Sequence, residues 1–340
     1  MIAPRFWARE RRGLAAQALA PLGALYGLVT ARRMARPGTR VDAPVICVGN
    51  YIVGGAGKTP TAIAVARLLQ GAGERVAFLS RGYGGAPRAA LTRVDPQAHG
   101  ALAVGDEPLL LARVAPCWVG ADRVAAARAA IAEGASVLVL DDGLQNPALA
   151  KDYAIAVIDG EAGFGNGLCF PAGPLRAPLQ SQAPFVSAEV AVGGGSSPAR
   201  APGPAKPLFR ARLEADAIAA AELIGRPVLA FAGIARPEKF YATLEGIGAI
   251  VAGRRQFPDH HFYDALDIAE LAAVAHKRGL TLVTTEKDYV RLTVDQRAGV
   301  RALPVTLRFE APERVAQALR EALVAFRARR EPPGALAARI

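Results

Sequence analysis

The chain has 340 residues, is 52% hydrophobic and carries a formal charge of +11. That length admits two domains. Its three scattered cysteines, Cys47, Cys117 and Cys169, form no C-x-x-C pair; they exclude a disulfide framework or a cysteine zinc site and fit reduced cytosolic thiols.

The charge is concentrated at the start. Residues 1–40 hold eight arginines (5, 9, 11, 12, 32, 33, 36 and 40) against one acid, Glu10. Between the arginine groups lies Gly13 to Thr30, nearly all apolar, with Pro21 expected to interrupt it. As a helix these 18 residues would span about 27 Å, just short of a hydrocarbon core. A cleaved signal peptide, a buried helix and an interfacial helix all fit. The interfacial helix accounts for both halves of the pattern, with arginines on anionic headgroups and the apolar face in the bilayer. No nucleic-acid recognition motif or run of stacking aromatics accompanies the arginines.

The next element is a buried strand, Val45 to Val48, followed by the loop Gly49-Asn50-Tyr51-Ile52-Val53-Gly54-Gly55-Ala56-Gly57-Lys58-Thr59-Pro60 and a helix near 60–71. Strand, glycine loop ending in Gly-Lys-Thr, then helix is the context of a phosphate-binding loop. Backbone N–H groups of Ile52 to Thr59 would cradle phosphates. Lys58 would reach the β/γ-phosphates, and the Thr59 hydroxyl would hold Mg²⁺. Two positions depart from the common forms: Ile52 stands where G-x-x-x-x-G-K-T has its first glycine, and Val53 where dimerising ATPases have a lysine.

From Val45 to Asp159, further apolar runs at Arg75–Ser80, Cys117–Gly120, Val137–Leu140 and Ile155–Ile158 alternate with helical stretches near 107–114 and 122–133. They lack period-two alternation, as strands covered on both faces do. The pattern predicts an α/β fold: a P-loop NTPase-type, mostly parallel sheet with helices on both faces. Residues 192–207 read as loop or linker. Beyond them, runs at Val228–Ala232, Ile247–Val251, Leu280–Thr284 and Pro304–Phe309, with helices near 237–245, 264–278 and 312–328, predict a smaller C-terminal α/β domain. The expected division is 1–40 (membrane-associated helix), 41–195 (P-loop domain), 196–207 (linker) and 208–340 (C-terminal domain).

Several groups carry chemistry. Asp141 and Asp142 end an apolar strand, where P-loop proteins hold Mg²⁺; they point to opposite faces if the strand continues, so one of them is expected at the metal. Gly105-Asp106-Glu107-Pro108 fits either a helix cap or a base for an acceptor hydroxyl. Of the adjacent His260 and His261, one assisting proton transfer is a better reading than a metal site, since no further ligands lie at useful spacing. Arg81 leaves the end of the second strand, where ligands bind in open α/β sheets. Arg176 sits on a rigid Pro-Ala-Gly-Pro turn, and Thr285-Glu286-Lys287-Asp288 ends a strand of the second domain.

Taken in order, these motifs resemble one family, the tetraacyldisaccharide 4′-kinases (lipid A 4′-kinases) of Gram-negative bacteria. The resemblance is carried by Val48-Gly49-Asn50 with Gly54 to Pro60, Ser80-Arg81-Gly82-Tyr83-Gly84, Gly105-Asp106-Glu107-Pro108, and Asp141-Asp142-Gly143-Leu144-Gln145. It continues through Phe170-Pro171-Ala172-Gly173-Pro174-Leu175-Arg176, Gly233-Ile234-Ala235-Arg236-Pro237, Phe257-Pro258-Asp259-His260 and Thr285-Glu286-Lys287-Asp288. Ala177 departs from the acid often found after Leu-Arg, and the last fifty residues carry little to match.

The resemblance implies ATP- and Mg²⁺-dependent phosphorylation of the 4′-hydroxyl of a tetraacylated glucosamine disaccharide 1-phosphate. It also implies a monotopic enzyme on the cytoplasmic face of the inner membrane, in which Asp106 and His260 act together at the acceptor hydroxyl. Arg81, Gln145 and Arg176 are the candidate substrate contacts. The expected partners are the acylated lipid and an anionic membrane surface, without nucleic acid or an obligate protein partner. A dimerising membrane ATPase, an ATP-dependent ligase and an inactive scaffold are the rivals. Val53, the arginine-flanked helix and the intact Lys58-Thr59 and Asp141-Asp142 pairs respectively speak against them.

Overall fold

A computed structural model of the protein describes residues 4–7, 13–82, 91–194 and 198–330. Arg9, Arg11, Arg12, Tyr83 and Gly84 lie outside the described residues, as does part of the expected linker (195–197).

In chain order the strands are β1 Val45–Asn50, β2 Val76–Ser80, β3 Thr92–Arg93, β4 Cys117–Val119, β5 Val137–Asp141, β6 Tyr153–Asp159, β7 Ala188–Val192, β8 Leu208–Ala215, β9 Pro227–Ala232, β10 Ile250–Gln256, β11 Thr281–Thr285, β12 Val300–Leu303 and β13 Val305–Phe309. The helices are α1 Leu14–Met34, α2 Lys58–Gly71, α3 Ala101–Val104, α4 Asp106–Ala112, α5 Arg123–Ala132, α6 Leu179–Gln182, α7 Ala217–Ala221, α8 Pro237–Gly246, α9 Ala265–Arg278, α10 Glu286–Tyr289 and α11 Pro312–Ala328.

Nine strands form one sheet in the order β13-β8-β7-β6-β1-β5-β2-β4-β3. From β8 to β4 every pairing is parallel; β3 and β13 add antiparallel edges. Strand residues alternate between two cores. Ile46, Val48, Val137 and Val139 pack with Val65 and Leu69 of α2 and Leu319 of α11. Val45, Cys47, Leu138 and Leu140 pack with Ala126 and Ala130 of α5 and Met34 of α1. This is why the runs show no period-two polarity: both faces are covered.

A second sheet, β10-β9-β11-β12, is parallel throughout. Val228, Ala230 and Ala232 of β9 face α8, while Leu229 and Phe231 face α9. The expected boundary at residue 208 falls inside the large sheet, because β8 pairs with β7 and β13 returns to pair with β8. The run 304–309, expected in the second domain, is therefore an edge of the first sheet, and α11 packs on that sheet's core. The second unit occupies roughly the chain between β8 and β13, joined at adjacent crossings where the Asp216 N–H donates to the Pro304 carbonyl at 2.9 Å.

Helix α1 runs through Pro21 for 21 residues without interruption. It buries Ala16, Gly23, Gly27, Thr30 and Met34. It exposes Leu14, Leu22, Leu25, Tyr26, Leu28 and Val29. A Cβ on Gly23 would stand 2.6 Å from the Cys169 carbonyl oxygen, and one on Gly27 2.7 Å from the Cys169 Sγ. The absence of side chains at these two turns is what lets the helix lie against the loop 169–178.

Candidate active site

The loop after β1 is held from its own side and from across the fold. Gly54 and Gly57 take φ of 114° and 86°, backbone that a Cβ disfavours. Asn50 Nδ2 donates to the Gly54 carbonyl at 3.1 Å, and Lys58 Nζ donates to the same oxygen at 3.0 Å. The segment 168–176 forms the opposite wall. Ile52 bridges Leu175, the Val53 N–H donates to the Pro174 carbonyl at 2.7 Å, and the Arg176 N–H donates to the Tyr51 carbonyl at 2.9 Å. The two positions that depart from the common P-loop forms, Ile52 and Val53, thus pair as a short ladder with the Arg176 turn.

The two aspartates after β5 separate sharply. Asp141 is buried and its Oδ2 accepts from the Thr59 hydroxyl at 3.0 Å. Its Oδ1 is buried with no protein hydrogen-bond partner. Burial first, then Glu107 and Asp142, push its carboxyl up to about 7. Asp142 takes a left-handed φ of 54° and turns away. There it receives both Arg176 guanidinium nitrogens at 2.8 Å, a bidentate pair, and stands 3.8 Å from Lys58 Nζ. Burial opposes its charge, but Lys58 and Arg176 outweigh it and hold its carboxyl at about 2.

An oxygen-lined position beside a P-loop threonine, with one buried carboxylate oxygen lacking a partner, fits Mg²⁺, which takes few protein ligands and completes its shell with phosphate and water oxygens. Among the described residues no cluster of three His, Cys, Asp or Glu could hold a metal.

Gln145 connects the walls: its Nε2 donates to the Asn50 carbonyl at 2.7 Å and its Oε1 accepts from Arg176 at 3.0 Å. Arg33, near the end of α1, donates to the Gln145 carbonyl at 3.3 Å. Arg81 is exposed beyond β2. The buried Arg123 holds the carbonyls of Ser80 and Gly120 at the same end of the sheet. Burial first, then Arg81, lower the Arg123 guanidinium to about 10.

Asp106 and His260, 154 positions apart, meet directly: His260 Nδ1 lies 3.1 Å from Asp106 Oδ2. Asp106 starts α4 after Gly105, and its Oδ1 accepts the Glu107 N–H at 2.9 Å. His260 follows β10 with φ 60°, its backbone N–H on the Gly233 carbonyl at 3.1 Å. A small cavity is lined by Ala101, Asp106, His260, Phe262 and Arg291. His261 faces away, 2.7 Å from Asp267 and stacked on Phe257.

Burial of Asp106 favours its neutral form, yet Lys287, His260 and Arg291 together hold the carboxyl well below the usual range. Lys287 also pairs with Glu107 at 2.9 Å. A second bridge joins the units, with Arg236 and Lys239 of the α8 start on Asp159 at the end of β6.

The family described as tetraacyldisaccharide-1-P 4′-kinase (LpxK) matches residues 15–324. The chain belongs to this family. A tetraacyldisaccharide 4′-kinase of Methylobacterium sp. (strain 4-46) is 58% identical over 311 residues, covering 90% of this chain and 93% of the relative. One from Rhodopseudomonas palustris (strain BisA53) is 50% identical over 315 residues, covering 90% and 92%. A crystal structure of LpxK from Aquifex aeolicus in complex with ATP superposes with a TM-score of 0.74 at 26% identity, over 91% of this chain and all of that one. The family match continues past Asp288 into α11.

Sequence reasoning missed Arg291, Arg123, Asp159 and Lys239. Arg291 had a signal: it lies three residues after Asp288, one helical turn from a motif already singled out.

Proposed function

We propose that this chain transfers the γ-phosphoryl group of ATP to the 4′-hydroxyl of a tetraacylated glucosamine disaccharide 1-phosphate, the lipid A precursor, at the cytoplasmic face of a Gram-negative inner membrane. Family membership supports the reaction class. The observation that carries the acceptor chemistry is the direct Asp106–His260 contact beside a cavity between the two units.

Ile52 to Thr59 would wrap the phosphates with backbone N–H groups, and Lys58 would lie along the β/γ-phosphates. Thr59 and Asp141 would hold Mg²⁺, with Asp142 committed instead to Arg176 and Lys58. When bound, the metal supplies positive charge against the phosphate oxygens. The Asp106–His260 pair orients the acceptor hydroxyl and takes its proton as the new O–P bond forms and the bond to the β-phosphate oxygen breaks. Gln145 and Arg176 line the phosphate side, and Arg81 stands at the neighbouring strand end for an anionic part of the acceptor.

Helix α1 supports membrane association. It is long and apolar enough to cross a membrane by length and composition. Its small residues face the protein while Leu22, Leu25, Tyr26, Leu28 and Val29 face outward, with Arg32, Arg33 and Arg36 at its end. One packed face and one apolar exposed face suit a helix lying in the interface.

The decisive experiment incubates the protein with labelled ATP, Mg²⁺ and the acylated disaccharide 1-phosphate beside a non-acylated control. Label should pass to the acylated lipid. ATP hydrolysis with no transfer to either acceptor would overturn the reading and favour a nucleotide switch.

A further inference from the structure

Arg291 is a buried charged side chain beside the site, only 1% exposed. Its Nε donates to Asp106 Oδ2 at 2.8 Å, and its Nη2 donates to the same oxygen. Its Nη1 donates to Asp288 Oδ1 at 2.7 Å and to the Gly233 carbonyl at 2.8 Å. That carbonyl also accepts the His260 backbone N–H. Asp288 is fixed in turn by the Tyr263 hydroxyl, the Gly233 N–H and the Thr285 hydroxyl. One guanidinium therefore touches the Asp106 carboxylate, the backbone anchor of His260, and a buried acid of the second unit.

We infer that Arg291 is the positioning residue of the Asp106–His260 pair: it fixes the carboxylate oxygen that His260 meets and makes that geometry conditional on the two units being docked. The inference rests on the kinase reading above. A planar guanidinium suits this task because its donors point in fixed, divergent directions, whereas an ammonium is a single point charge. Arg291 also sets the proton affinity of the pair. The groups facing Asp106 are Arg291, Lys287 of α10, His260 and the neighbouring Glu107. Losing the Arg291 charge leaves Lys287 and His260 to oppose burial, so the carboxyl rises.

The test compares wild type with R291K, R291Q and R291A in the full chain, measuring ATP affinity, KM for each substrate, and kcat against pH. R291Q and R291A are expected to lose roughly 10²-fold in kcat through misplacement of the pair, with ATP affinity retained because no Arg291 atom bonds the phosphate loop. The acid limb of the rate profile should move to higher pH. R291K should recover part of kcat while keeping a displaced limb. An acid limb at the wild-type pH in every variant would overturn the inference, and so would wild-type kcat in R291A. If R291A does not fold, R291K and R291Q decide by the same limb. The parallel wild-type assay separates the readings. Absent transfer there sinks the kinase proposal; normal transfer by wild type and variants alike sinks only the role of Arg291.

Discussion

The two halves of the site are built in opposite ways. The phosphate side is local: Asn50, Gly54, Lys58 and Thr59 lie within ten residues, and their partners Asp141 and Asp142 end the adjacent strand of the same sheet. The proposed acceptor side is assembled across the chain. Asp106 comes from the large sheet's unit, while His260, Asp288 and Arg291 come from the small one, up to 185 positions away. The first half draws its groups from the large sheet's unit alone. The second exists only as an interface. Nucleotide binding and phosphate transfer should therefore be separable by mutation.

The largest expected effect is Lys58→Ala, which should abolish transfer and weaken nucleotide binding, both read with labelled ATP. It strikes the half common to both activities. Asp106→Ala should cut kcat by roughly 10²–10⁴ with ATP affinity nearly intact. A parallel loss of ATP binding in that variant would break the proposed separation.

Asp288→Ala removes one partner of a fully buried ion pair and should destabilise the protein by roughly 3–5 kcal/mol in denaturant unfolding. If the second unit unfolds alone, the loss should appear as a separate early transition. The acid response sharpens the contrast. Asp106 has its carboxyl held below the unfolded value of about 4, so its contribution to stability is present at neutral pH and is lost as pH falls below that value. Wild type should therefore lose more melting temperature than Asp106→Asn between pH 6 and pH 3. Equal losses would show that Asp106 does not tie the units together. The smallest effect is expected from Gly27→Val, where overpacking against Cys169 should cost roughly 1–3 kcal/mol. The readout is vesicle binding and melting temperature, with soluble ATP binding unaffected.

The parallel sheet was legible because its strands are short apolar runs punctuated by helices, and the phosphate loop because backbone geometry demands glycines before Lys58. The strands β7 and β8 were not. Leu208–Ala215 carries three charged residues in eight and follows a proline-rich stretch, so its composition pointed to a new domain rather than one more strand of the old sheet. The roles within the Asp141-Asp142 pair were equally hidden. Which acid faces Thr59 is decided by the left-handed turn at Asp142 and by Arg176, and neither is encoded in the spacing. His260 and Asp106 were identified through family resemblance. Arg291 belongs to no motif of that resemblance; its place three residues after Asp288 was its one signal in the sequence, and its contacts are what single it out among 41 lysines and arginines.

The segment 169–178 touches both ends of the proposed reaction. Cys169 and Pro178 seat Gly23 and Gly27 of α1, Phe170 meets Tyr26 with ring centroids 5.5 Å apart, and Pro174 to Arg176 hold the phosphate loop. With α1 lying in the bilayer as proposed, this ten-residue bracket acts as a gauge. On that proposal it would set the height of the phosphate loop above the lipid, and so how far a sugar headgroup must rise out of the membrane to reach it. The missing methyl groups at Gly23 and Gly27, which let α1 seat against Cys169, would then fix that height.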